Sequence, residues 1–359
     1  MQARLQRLPI GQRIALALAL PMAGFVFFVV WVLASHQRTA NDMRNLREMA
    51  EVAASVGSLV HEVQLERGLS AAFLGSGGTQ FAQNQASRHA RTDAQLAALQ
   101  QALQHLAPKH FDDRLHSRIV DAQVQWMSFA AWRREAAAGD VTPEVQLARY
   151  SAGIHALIGI VQEMYFLGSD ADISRSIYAL VNLMQAKEAA GVERALGVTY
   201  FSAPRVEAID RQVFVAQADR QANFLEQFRF FAALEQVQQL DRVLADEKAA
   251  EIERLRGFVF LRVLARQEAT QNTTARWIDV MTWKIDQIRL VEDRTAQALI
   301  AQAQRAEDAA RKTVFWSGAA ALAGLLLAVL IAGALARGII FPIERITRAM
   351  NRLATQNAG

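Results

Sequence analysis

Two uncharged apolar runs constrain this chain more than any other feature. Residues 14–35 read IALALALPMAGFVFFVVWVLAS, and residues 314–336 read VFWSGAAALAGLLLAVLIAGALA. Each is about the 20 residues that a helix needs to cross a ~30 Å hydrocarbon layer. The first also admits a reading as a cleaved signal peptide, with Val32-Leu33-Ala34 as the cleavage sequence. Its excess length and the helical pattern continuing beyond it favour an uncleaved anchor. Arg4, Arg7 and Arg13 precede the first run; Arg337, Arg345, Arg348 and Arg352 follow the second. The positive-inside rule then puts both ends in the cytoplasm, although Arg38, Arg44, Arg311 and Lys312 blur the asymmetry. The expected division is a cytoplasmic arm (1–13), a first span (14–35), an extracytoplasmic domain (36–313), a second span (314–336) and the start of a linker (337–359). That describes a two-pass protein of the bacterial inner membrane with a periplasmic domain.

The domain reads as all-α. Ala, Leu, Gln, Glu and Arg dominate, prolines number 6 and glycines 19 in 359 residues, and no useful strand-like alternation occurs. Short breaks separate the helical runs: GSGG (75–78), APKHFDD (107–113), AAGDVTPE (137–144), GSDADIS (168–174) and FSAP (201–204). Asp170 or Asp172, and Thr142 ahead of Pro143, suit N-terminal caps. About eight extramembrane helices are expected, enough for two stacked four-helix bundles. The first runs to about Leu74, the last starts near Thr273, and both continue into the apolar runs.

Several chemistries are excluded or unsupported. With no cysteine, disulfides, thiolate metal sites and thiol catalysis are out. The seven histidines show no metal-site spacing, and no nucleophile elbow, phosphate loop or dinucleotide fingerprint occurs. Enzyme activity and cofactors are therefore not expected. A net charge of +4 with scattered basic residues gives no footprint for nucleic acid.

Two arginines break the apolar pattern. On a wheel of about 100° per residue, Arg67 lies within the stripe of Val60, Val63, Ala71 and Leu74. Arg256 lies within the stripe of Ile252, Leu255, Val259 and Val263, whereas Arg254 points away. A buried cation needs a negative partner. The plainer reading pairs each with a core-edge acid such as Glu66, Glu251 or Glu292, or has it snorkel outward. The sharper reading has the two converge on a small oxyanion, which suits the planar fork of arginine.

VQLERGLSAAFLGSGG (63–78), KEAAGVERALG (187–197) and WIDVMTWKIDQIRLVED (277–293) resemble the recognisable segments of the nitrate- and nitrite-sensing domain, over most of 45–300. The resemblance implies an all-helical fold of two stacked four-helix bundles, with nitrate or nitrite held between arginines on different helices. The arginine of the ERG motif is Arg67. The second is matched by Arg256, with Arg254 as the fallback. Arg194 resembles a position linked to relaying the signal. After the second apolar run, Pro342 and the seam Ile343, Ile346, Met350 and Leu353 resemble the opening of a HAMP linker; a juxtamembrane amphipathic helix would read similarly.

Together these features lead to the expectation of a transmembrane signal receptor that binds nitrate or nitrite in the periplasm and passes a conformational change through the second span to that linker. Its partners would be the anion, the lipid bilayer, a second copy in a homodimer and cytoplasmic signalling proteins reached through an output domain beyond residue 359, with no nucleic acid. The alternatives are a receptor of the same architecture for another anion or organic acid, and a membrane protein that senses nothing.

Overall fold

The computed structural model describes residues 10–106, 112–202, 208–265 and 271–335 and seven positions between 337 and 349, with side chains described at 19–106, 112–201, 211–259, 273–335 and those seven positions. The described residues form ten helices and no strand: α1 (Ile10–Gly75), α2 (Ala82–His105), α3 (Asp113–Met127), α4 (Phe129–Ala138), α5 (Pro143–Leu167), α6 (Ala171–Ser202), α7 (Ala208–Phe231), α8 (Leu234–Leu244), α9 (Glu247–Ala265) and α10 (Gln271–Leu335).

Local chemistry sets several ends. Gly77 and Gly78 adopt positive φ just beyond α1, and Gly139, at φ 77°, closes α4, a conformation that costs glycine nothing. Thr142 accepts a hydrogen bond from the Val145 amide ahead of Pro143. Asp170 accepts from the amides of Asp172 and Ile173 at 3.0 and 2.9 Å. Other breaks carry no glycine or proline. Ser128 separates α3 from α4 while its hydroxyl bonds back to the Val124 carbonyl at 2.9 Å, a contact that bends helices. Such breaks raise the helix count above the eight expected.

The chain divides into two units, residues 44–305 and residues 1–43 with 306–359. In the second unit, α1 and α10 each carry an apolar window long enough to cross a membrane, with mean hydropathy 1.8 and 2.4. By length and composition these are two candidate spans. The Phe25 ring lies against Gly324, where a Cβ would meet it at 3.1 Å. Of the expected linker seam, Met350 and Leu353 lie outside the described residues, as do residues 1–9 of the arm and parts of the breaks at 107–113 and 201–204.

In the larger unit α1 buries Leu46, Met49, Ala53, Val56, Val60 and Val63, a helical stripe. Phe129, Trp132 and Tyr150 pack with ring centroids 5.4–5.8 Å apart and join α4 to α5. Two further apolar clusters follow one another along α6 and α10. One gathers Ala190, Phe201, Phe214, Ile252, Trp277 and Met281; the other gathers Leu183, Leu225, Phe228, Leu240, Ile288 and Val291. Helix α6 is common to both. From Ala179 to Gly191 all but one of its residues are buried, as befits a helix with no polar face.

Candidate anion-binding site

The buried stretch of α6 carries its own charges. Lys187, Glu188 and Glu193 are almost wholly inaccessible, and Arg194 is half-buried behind them. Buried ions are tolerated only when paired, and α6 finds the partners on four other helices.

Arg67 reaches α6 from α1. Its Nη1 donates to the Glu188 carboxylate and to Ser151 Oγ on α5, the latter at 2.7 Å. The other Glu188 oxygen accepts from Gln64 Nε2 at 2.8 Å. Two glycines let the helices close here. A Cβ at Gly191 would sit 2.9 Å from Arg67 Nη2, and one at Gly68 would sit 3.4 Å from Arg194 Nη2. Each guanidinium thus lies over a glycine of the opposite helix.

Arg194 donates from Nη1 to Thr282 Oγ1 on α10 at 3.1 Å, and its own carbonyl accepts from the buried Trp277 indole at 3.0 Å. Burial and then the Arg67 cation pull this guanidinium below its ordinary pKa, against a weaker opposing effect from the exposed Asp286. Among the described residues no carboxylate lies within ion-pair distance of Arg194. The contact between α1 and α6 therefore holds two guanidiniums against one carboxylate.

Arg256 comes from α9 and is fully engaged. Its Nε and Nη2 grip Glu193 at 2.6 and 2.7 Å, and Nη1 meets Glu253 at 2.5 Å. Burial would lower its pKa, but the bonds and charge of Glu193 raise it. Lys284 is buried beside it, its ammonium brought down to about 8 by burial and then by Arg256. A cleft of about 400 Å³ between α7 and α9 is edged by Arg256, Asp219 and Glu253; the two carboxylates suit it poorly to an anion.

Of the arginines singled out from the sequence, the structure brings Arg67 and Arg194 together. It does not bring Arg67 to Arg256. Glu188 and Glu193 are about 140° apart around α6, so the arginines that grip them approach from different sides. Arg254 is exposed and pairs with Glu251 at 3.1 Å. The acids expected as core-edge partners belong to other cations. Glu66 takes Arg133 at 2.8 and 2.9 Å and the Tyr150 hydroxyl at 2.5 Å. Glu251 takes Arg254 and Arg276. Glu292 takes Lys187 at 2.7 Å and Arg289 at 2.9 Å. Sequence reasoning missed Glu188, Glu193, Gln64 and Ser151. The usable signal was acidic residues within KEAAGVERALG, a helical stretch with little other polar character.

A family model described as nitrate and nitrite sensing matches residues 58–328. The nitrate regulatory protein of Klebsiella oxytoca is 30% identical over 275 residues, 76% of this chain and 68% of that protein. The solved structure of the NasR transcription antiterminator is similar at a TM-score of 0.68 and 25% identity, covering 92% of this chain and 95% of the other. These relatives are a regulatory protein and a transcription antiterminator. They overturn the expectation of a transmembrane receptor signalling through its second span into a HAMP linker. The partner set drawn for that receptor, which excluded nucleic acid, falls with it. The physical reason is that a sensing fold does not fix the output joined to it, and apolar runs report only length and composition.

Proposed function

Since this chain belongs to the nitrate and nitrite sensing family, we propose that its helical domain binds nitrate or nitrite at Arg67 and Arg194 and serves a regulator controlled by that anion. The observation that supports this most is the surplus positive charge between α1 and α6, where water is largely excluded. Two nearby cations of low exposure repel one another, and an anion between them removes the repulsion. Nitrate is planar and singly charged, and its edges match the parallel N–H bonds of a guanidinium. Nitrite offers two oxygens to the same forks. Arg256 takes a positioning role: it holds Glu193, the residue before Arg194, and so fixes that turn of α6. The role is binding, with no catalytic step.

We further propose that the two apolar segments anchor the chain in the bacterial inner membrane with the helical domain on the periplasmic side. Neither apolar window is buried by protein, unlike the core helix of a globular domain. The chain lacks cysteine, so a single cysteine at the exposed position of Phe230 should react with an impermeant maleimide from the periplasm. Labelling only after inner-membrane lysis would refute that side.

Calorimetry with nitrate, nitrite, chloride and sulfate tests the site. The purified chain should bind nitrate or nitrite, Arg67→Ala should lose at least about 100-fold in affinity, and Arg194→Ala should weaken it. A folded wild-type chain that binds none of these ions would end the proposal.

A further inference from the structure

Glu188 is 2% exposed, and both of its oxygens are held, one by Arg67 and the other by Gln64. It cannot swing aside without orphaning Gln64 Nε2 and leaving the Arg67 cation with no carboxylate partner. Arg67 spends Nη1 on Glu188 and Ser151, while Nη2 faces Gly191, the residue one turn before Arg194. The contact between α1 and α6 therefore contains two cations and a fixed anion. Among the described residues the carboxylate acting on Arg194 is Asp286, which is exposed, where solvent screens it.

We propose that Glu188 sets the valence that this site accepts: by neutralising one of the two guanidiniums it leaves a single surplus charge, so that a monoanion is taken and a dianion refused. The inference rests on the anion-binding reading of Arg67 and Arg194 and assigns selectivity within it. A monoanion brings the buried cluster to neutrality. A dianion such as sulfate leaves one uncompensated negative charge there, which is costly at low dielectric. Choice among monoanions falls to shape, through the planar forks, and not to Glu188.

Four forms of the full-length chain separate charge from contact: wild type with one surplus charge, Glu188→Gln with two, Arg194→Gln with none, and the double variant with one again. Calorimetry with nitrate, chloride and sulfate is the readout. In Glu188→Gln the affinity for sulfate relative to nitrate should rise at least about tenfold, while nitrate relative to chloride changes by less than about threefold. Glu188→Asp should keep the wild-type ratio. Arg194→Gln should lose nitrate, and the double variant should bind it better than Arg194→Gln does, a gain that lost contacts alone cannot give. Should Glu188→Gln unfold without anion, its melting temperature in rising sulfate and nitrate reads the same ratio through linkage.

An unchanged sulfate-to-nitrate ratio, a double variant no better than Arg194→Gln, or an unfolded Glu188→Gln rescued by no anion would overturn the assignment. Failure of the wild type to bind nitrate or nitrite would instead sink the underlying site.

Discussion

The two charged faces of α6 differ in how their charge is balanced. On one, Arg256 has Glu193 on two of its nitrogens and Glu253 on the third. On the other, Arg67 shares Glu188 with Gln64, and Arg194 has a threonine hydroxyl, a like-charged neighbour and the weaker pull of the exposed Asp286. Both arginines of the original pair lie inward on their own helices. What separates the paired Arg256 from the proposed ligand pair Arg67 and Arg194 is the count of carboxylates around each, a property of the fold and not of one helix.

The sharpest way to break this contrast is to remove one acid from each face. Glu193→Ala leaves Arg256 and Lys284 buried with Glu253 alone and should cost about 3–5 kcal/mol in denaturant melts, with no recovery from nitrate. Glu188→Ala should recover part of its loss when nitrate is added; equal behaviour of the two variants would erase the distinction. Next in size, Gly197→Ala should cost about 3 kcal/mol, because a Cβ there would stand 2.0 Å from the indole nitrogen of fully buried Trp277. That change disturbs the backbone of Arg194 and should weaken nitrate binding, while a binding isotherm like wild type would show that α6 can shift at no cost.

A smaller effect is expected from acid. His61 is held at about 3 by burial and then by the Lys187, Arg289 and Arg88 cations. The unfolded chain takes up this proton near 6.5 and the folded chain does not. Stability is therefore level above about 6.5 and declines as pH falls toward 3, by at most about 1.4 kcal/mol per unit. Between about pH 5 and 6.5, where carboxylates stay ionised, His61→Gln should flatten the slope of urea midpoint against pH. Smallest of all, Arg254→Ala should change stability by less than about 0.5 kcal/mol and leave the nitrate isotherm unchanged; a clear loss of binding would return the fallback arginine to the site.

What could be read from sequence followed the range of the forces involved. The inward face of Arg67 was legible because helical period is local. Its counterion was not, since Glu188 lies 121 residues away and a wheel gives a direction without a neighbour. Arg194 entered through family resemblance alone, and only the packing of Gly68 and Gly191 shows why it faces Arg67. Caps at Thr142 and Asp170 were legible as side-chain chemistry next to proline or a loop. Ser128 was not, because serine is common inside helices and only its bond back to Val124 reveals the bend. The ligand class was legible from the motif segments; the output was not, because nothing in a binding fold dictates what is attached to it.

The sheathing of α6 has a consequence for exchange with solvent. A helix covered by α1, α5, α7, α9 and α10 has no low-energy way to open alone. Its central amides, from Ala179 to Glu193, should take up deuterium only when the whole domain unfolds. The anion proposed for Arg194 would then enter past the side chains of α1 and α10 while α6 stays closed. Any rearrangement that follows falls to the surrounding helices, which turn about a fixed axle.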